Sequence, residues 1–222
     1  RLTIFMGDQL DAITPYDKRF NPDTAYSHDI DEQRQEFQDE TQPLIDEHKR
    51  LLHLYRKILG FLHGNHEYNI RGITRPYIEN QFCKNNKLQF CGSRAVIGLD
   101  FRWKGKKISE DNQYKILAIH GVGGSKPEAM FEAMKTNNYM DIFLCGHSHQ
   151  KRYQSEVVMD FDFKTGQAFE REIHLLNTGT FCKTLTEGHD GYMDRKNKVI
   201  PSSAGTGTLT ISPYQEKITG HI

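Results

Sequence analysis

Four short polar segments of the chain concentrate side chains that bind divalent metal ions. They are residues 7–11, 64–67, 120–121 and 146–149. Imidazole and amide ligands suit borderline first-row ions such as manganese, iron, zinc or nickel, whereas an all-oxygen site suits magnesium or calcium. Two such ions about 3.5–4 Å apart can produce a nucleophile at neutral pH and stabilise negative charge on a phosphoryl group. The segments therefore predict a site for divalent metal ions, a kind of site that can assist hydrolysis of a phosphate ester.

Each polar segment follows a run of apolar residues. The runs cover residues 2–6, 58–62, 114–119 and 141–145, and continuous apolar runs of this length predict strands that are buried on both faces. Open α/β sheets place their ligands at the carboxyl ends of the strands. Gly7, Gly64 and Gly146 precede the polar side chains, which fits loops that need positive φ or close backbone approach.

Helices are predicted between the strands, and hairpins after them. Residues 31–59 are rich in helix formers, and Pro43 is expected to divide them into two helices because proline removes an internal hydrogen bond. Residues 127–135 predict a short helix with Ser125 as its N-cap. Beyond residue 150 the pattern alternates, predicting a hairpin of residues 157–163 and 168–176 and a last strand pair of residues 207–211 and 216–222.

Composition excludes several classes of protein. Lys+Arg and Asp+Glu both number 29, so no general electrostatic field attracts the chain to nucleic acid or to an anionic membrane. No apolar run approaches the roughly 18 residues of a membrane span, and the first residues lack the regions of a signal peptide. The four cysteines form no CxxC pair, which predicts reduced, structural thiols. These features predict a soluble cytoplasmic protein that does not bind membranes.

Read in order, the four segments resemble the signature of the calcineurin-like metallophosphoesterase family: GDxxD, GNH[DE], a lone histidine and GHxH. The resemblance covers roughly residues 2–180. It implies an α/β fold, specifically a four-layer α/β-β/α sandwich of two mixed sheets, in a single domain over residues 1–222 with a helical insertion around residues 29–57. Residues 7–13 and 17–20 and the Gly191-Tyr192 pair look like phage-encoded members of the family.

The resemblance also implies a ligand set for two divalent metal ions, with manganese favoured and iron, zinc, nickel or magnesium as alternatives. Its ligands come from all four segments: Asp8, Asn65, His120, His147 and His149. By motif position Asp8 bridges the two ions and His149 binds the second ion. The other three ligands complete the first ion.

The remaining motif residues are expected to face the substrate or support the loops. His66 would steady the phosphoryl oxygens or protonate the leaving group, with Glu67 orienting its ring. Asp11 would support the first loop. Arg71 is close enough to the second motif to contact a substrate phosphate, because an arginine fork matches phosphate oxygens, although a surface salt bridge is the favoured interpretation. Residues 17–30 are a candidate lid over the site.

One family motif is absent. The family's D-x-H, which supplies an Asp and a His to the second metal, should precede the GD motif, and the chain opens directly on the strand before Gly7. The expectation is that the natural protein extends upstream of Arg1 and supplies these ligands there. The only D-x-H is Asp46-Glu47-His48, which lies in a helical stretch and is better interpreted as a solvated helix face.

These features together predict hydrolysis of a phosphate ester by a metal-bridged hydroxide. A phosphodiester, nucleotide or nucleic acid, is slightly favoured as the substrate, and the oligomeric state is left open. The alternative is a non-catalytic scaffold or binding protein that keeps the fold. A phosphoprotein phosphatase is a weaker alternative, because it would call for further arginines in the motifs.

Overall fold

The computed structural model describes residues 1–10, 12, 14–15, 20, 29–53, 55–70, 78–103, 106–107, 113–121, 126–136, 139–181 and 204–222. By their contacts these residues belong to two compact units, Arg1–Ala95 and Val96–Phe181 with Ala204–Ile222. Among the described helices, none is both long enough and apolar enough to cross a membrane.

The first unit is a parallel sheet with helices packed on it. Its strands, in sheet order, are β1 (Thr3–Phe5), β2 (Ile58–Leu62) and β3 (Phe90–Gly92). Its helices are α1 (Ile30–Leu51), α2 (Asn65–Ile70) and α3 (Ile78–Asn86). Phe61 of β2 stacks on Phe5 with ring centroids 4.1 Å apart and packs with Phe82 of α3. This aromatic core fixes β1 and β2 side by side, so their carboxyl ends meet at one edge of the sheet.

Helix α1 runs without a break through Pro43, so the predicted division into two helices is wrong. Proline frees the carbonyl four residues earlier, which is that of Asp39, and both residues are exposed, so water can satisfy that group. The helix is also well capped, since the Asp29 side chain accepts a hydrogen bond from the Asp31 amide at 2.7 Å. Ile45, on the other face, is fully buried in the core of this unit, so the helix packs on the side away from Pro43.

The second unit is built around a mixed sheet. Its elements are β4 (Arg94–Asp100), β5 (Arg102–Trp103), β6 (Lys106–Lys107), β7 (Gln113–Ile119), α4 (Pro127–Lys135), β8 (Ile142–Cys145), β9 (Lys151–Asp162), β10 (Gln167–Thr180), β11 (Gly205–Thr206), β12 (Thr208–Ser212), a 3₁₀ turn (Pro213–Gln215) and β13 (Lys217–His221). Strands β7, β8 and β10 are parallel neighbours, whereas β9 and β11 pair antiparallel with β10. Phe131 and Met134 of α4 pack against Phe143 of β8 in the core.

The predicted α/β class is confirmed, and its separate sheets and helices are consistent with the layered sandwich. The four predicted strands, the two predicted strand pairs and helix α4 are present, but β9 begins six residues before its predicted start and β10 ends four residues after its predicted end. The N-cap of α4 is Lys126, without a side-chain hydrogen bond, and Ser125 lies outside the described residues. Strands β3, β5 and β6, of two or three residues, were not predicted, and the longer strand β4 was missed although its residues 95–99 are apolar.

Candidate functional site

In the first unit, two of the predicted segments follow neighbouring parallel strands. The first segment comes directly after β1, and the second begins after β2 and forms the start of α2. His66 and Glu67 are buried, at 7% and 4% exposed, while Asp8 and Asn65 are half-buried. The sheet thus brings Asp8 next to the second segment, as expected from strand ends that share an edge.

Glu67 joins the two loops of this unit. Its carboxylate accepts hydrogen bonds from the backbone amides of Asp8 at 3.1 Å, Leu10 at 3.0 Å and Gly64 at 3.1 Å. Burial raises the pKa of Glu67, the negative charge of Asp8 raises it further, and the hydrogen bonds from the Leu10 and Gly64 amides oppose the rise. Through these hydrogen bonds Glu67 stabilises both the loop after β1 and the loop after β2. Orientation of the His66 ring by Glu67 stays a prediction.

Asp8 is held in a strained backbone conformation and in close contact with the second loop. Its φ is 53°, in the left-handed region, and its Oδ1 accepts a hydrogen bond from the His66 amide at 3.0 Å. Its Oδ2 lies 3.9 Å from Nε2 of His66. A Cβ added at Gly64 would lie 1.8 Å from Oδ1 of Asp8, so only glycine permits this approach.

In the second unit, two histidines converge from neighbouring parallel strands. His120 follows β7 directly, and His147 follows β8 after Gly146. Nε2 of His120 and Nδ1 of His147 are 3.3 Å apart, with the rings nearly perpendicular at 76°. Two imidazole nitrogens that share one zinc-like ion at about 2.0–2.1 Å lie roughly 3 Å apart. The donor set and spacing therefore fit a metal ion, and a single imidazole hydrogen bond would have similar length.

The loop after β8 is folded so that two histidines only two residues apart are both presented. His147 and His149 have φ values of 64° and 59°, and with Asp8 they make up three of the six non-glycine residues with positive φ in the described chain. The Gly146 amide donates to the His120 carbonyl at 3.0 Å, and the Ser148 amide donates to the Gly146 carbonyl at 2.7 Å. Strained conformations of this kind cost of order 1–3 kcal/mol each and concentrate at functional sites.

Sequence reasoning missed the neighbours of this loop. Thr180 was not among the predicted site residues, but its Oγ1 lies 3.1 Å from Nδ1 of His149. The Nδ2 of Asn177, a fully buried residue, donates to Oγ of Ser148 at 2.6 Å. These two residues could have been predicted from their position in the sheet, because β10 is parallel to β8 and its carboxyl end lies at the same edge.

Other predicted residues have structural surroundings or lie outside the described residues. His48 is buried, and its Nδ1 accepts a hydrogen bond from the Ile58 amide at 3.1 Å, so the solvated face predicted for Asp46 and His48 is correct only for Asp46. Asp11, Arg71 and most of the candidate lid at residues 17–30 lie outside the described residues.

Comparison with known proteins gives weak similarities only. No model of a protein family matches the chain, and no curated protein matches it. Among solved structures, Vps29 from Entamoeba histolytica complexed with zinc is similar with a TM-score of 0.34 and 13% identity, covering 83% of this chain and 87% of that chain. A single mutant of Vps29 from the same organism gives a TM-score of 0.29 and 15% identity, covering 81% of this chain and 87% of that chain.

Proposed function

We propose that this protein is a calcineurin-like metallophosphoesterase that hydrolyses a phosphate ester with divalent metal ions. The observation that carries the proposal is the 3.3 Å approach of Nε2 of His120 to Nδ1 of His147 at the ends of adjacent parallel strands. The proposed metal ligands are those of the sequence prediction: Asp8, Asn65, His120, His147 and His149. When bound, such ions activate water and compensate the charge of the phosphoryl oxygens. Two ions, with manganese favoured, are part of the proposal.

In this proposal, residues other than the metal ligands act on the substrate and support the two loops. His66 acts as the acid that protonates the leaving oxygen or as the donor that steadies the phosphoryl group. The hydrogen bond from the His66 amide to Oδ1 of Asp8 holds the proposed bridging carboxylate at the start of α2, where its Oδ2 lies 3.9 Å from Nε2 of His66. Glu67 holds both loops through backbone amides, so that neither group has to reorganise when substrate binds.

The substrate proposed is a phosphodiester such as a nucleotide or nucleic acid, as the phage-like sequence segments favour. Arg71 is proposed as a phosphate contact. The single domain, the helical insertion, the phage-type relationship and the cytoplasmic location likewise stay predictions from the sequence.

The first test measures metal content and activity together. Protein depleted of metal and reloaded with manganese, zinc, nickel or magnesium is assayed on p-nitrophenyl phosphate, bis-p-nitrophenyl phosphate, cyclic nucleotides and single-stranded DNA. We expect hydrolysis that depends on added metal, and loss of both metal and activity in His147→Ala. The matched control is His53→Ala, because His53 is an exposed histidine outside the motifs.

Two outcomes would contradict the proposal in different ways. If the protein binds no divalent ion, the proposed metal centre does not exist. A protein that binds metal at His147 and hydrolyses none of these substrates is the non-catalytic scaffold that the sequence left as the alternative.

A further inference from the structure

We propose that Thr180 is a positioning residue for metal binding, because its hydroxyl accepts the Nδ1 proton of His149 and thereby presents Nε2 as the ligand atom. This inference rests on the proposed function, since it assumes that His149 binds metal. It concerns contacts within the second unit only, and it assigns the end of β10 a role in orienting a metal ligand.

The first step is the chemistry of a neutral imidazole. One ring nitrogen carries a proton and the other carries the lone pair that a metal needs, so the partner of one nitrogen decides which nitrogen is the ligand. Nδ1 of His149 lies 3.1 Å from Oγ1 of Thr180, within hydrogen-bond distance. Histidines that bind metals usually donate their other N–H to an oxygen, which also fixes the orientation of the ring.

The second step compares the two histidines of the loop. His147 directs Nδ1 toward Nε2 of His120, whereas Nδ1 of His149 is directed to Thr180. Both residues have left-handed backbone, with φ of 64° and 59°. In the proposed metal centre the two rings offer different nitrogens: Nδ1 from His147, beside Nε2 of His120, and Nε2 from His149. Two nearby histidines of different tautomer need a local group that sets the tautomer of each ring, and Thr180 lies where it can set that of His149.

The third step is the rigidity of the supporting strand. Thr180 pairs with Gly205 of β11, and the preceding Gly179 has φ of 89° and lies so close to Lys151 that an added Cβ would be 2.3 Å from its Cγ. Asn177 of the same strand holds Ser148, the residue between the two histidines, at 2.6 Å. The strand β10 thus contacts both the middle and the end of the histidine loop, and Thr180 cannot shift independently of it.

The test compares two substitutions that separate the hydroxyl from the shape of Thr180. Thr180→Val keeps the branched shape and removes the acceptor, and Thr180→Ser keeps the hydroxyl. We expect Thr180→Val to weaken the affinity for one of the bound metal ions by roughly 10–100-fold, the usual effect of losing the oxygen partner of a metal-binding histidine. Thr180→Ser should retain the affinity. Thr178→Val, on the same strand, controls for the change of residue type and should also retain it.

A second measurement does not need metal. Long-range ¹H–¹⁵N NMR of the metal-free protein reports the tautomer of each histidine, and His149 should carry its proton on Nδ1 in the wild type and in Thr180→Ser. Thr180→Val should shift His149 toward a mixture of tautomers. Unchanged affinity and tautomer in Thr180→Val would overturn the role of Thr180 while metal binding by the wild type stands. A wild type that binds no metal would instead overturn the proposed function.

Discussion

Replacing Glu79 with glutamine should change how the free energy of unfolding depends on pH. Glu79 lies in the first turn of α3 and is 7% exposed. Its Oε1 is buried and has no hydrogen-bond partner within the described part of the chain. It lines a small pocket beside the aromatic rings of Phe37, Phe61 and Phe82. Burial among these rings disfavours the charged carboxylate and raises the pKa of Glu79 to about 7, and the nearby charge of Glu67 adds to the rise.

The size of the effect follows from the difference between the two pKa values. The pKa rises from 4.5 to about 7 on folding, a difference of about 2.5 units, and one unit corresponds to about 1.4 kcal/mol. Between these two values the unfolded chain has lost the proton that the folded chain keeps, so stability falls as pH rises. The wild type should therefore lose about 3 kcal/mol through Glu79 between about pH 4.5 and about pH 7, and no more above that range.

Glutamine at this position is neutral at every pH, so the difference between the variant and the wild type isolates the ionisation. Urea unfolding followed by circular dichroism, with metal removed, gives both free energies at about pH 4.5 and about pH 8. We expect the two proteins to differ by about 3 kcal/mol more at the higher pH, in favour of the variant. Glu36→Gln, on the exposed face of α1, should show no such trend. A difference that stays constant with pH would refute the reasoning, because it would mean that Glu79 ionises as readily in the folded protein as in the unfolded chain.

Two further predictions concern the first unit. His66→Ala should lower turnover by roughly 10²–10⁴-fold and leave bound metal unchanged, as expected for a positioned acid, whereas Asp8→Ala should lose both; equal metal loss in the two variants would show that His66 is a ligand instead. Gly64→Ala should lose metal affinity and stability, because the added Cβ would lie 1.8 Å from Oδ1 of Asp8. Gly98→Ala is the matched control, since a Cβ there meets nothing within 4 Å, and normal metal affinity in Gly64→Ala would contradict the close approach.

The strands that carry the motifs were predictable because their sequence signal is local. A buried parallel strand is a short apolar run, and the glycine and polar residue after it mark its end. This pattern located β2 at its observed bounds and β1, β7 and β8 to within one residue at each end. The convergence of His120 and His147 followed from the same reasoning, since adjacent parallel strands share a carboxyl edge.

The misjudged features depend on contacts distant in sequence. The continuity of α1 through Pro43 depends on which face of the helix packs against the sheet, and that face is set by residues of β2 and α3. His48 is buried because its ring reaches the Ile58 amide, a contact that a D-x-H pattern inside a helix does not reveal. Thr180 was overlooked for a similar reason, since a threonine in a strand end has no motif of its own.

Each unit contains described contacts that orient the proposed ligands. Glu67 holds the loops of the first unit through backbone amides, and Thr180 and Asn177 hold the histidine loop of the second. Each of these contacts restricts the movement of a proposed ligand or of its loop, and therefore lowers the reorganisation that metal binding would require. Weakening one tie should therefore lower metal affinity while the sheets stay folded, which is the behaviour expected of Thr180→Val and not of a core substitution such as Phe61→Ala.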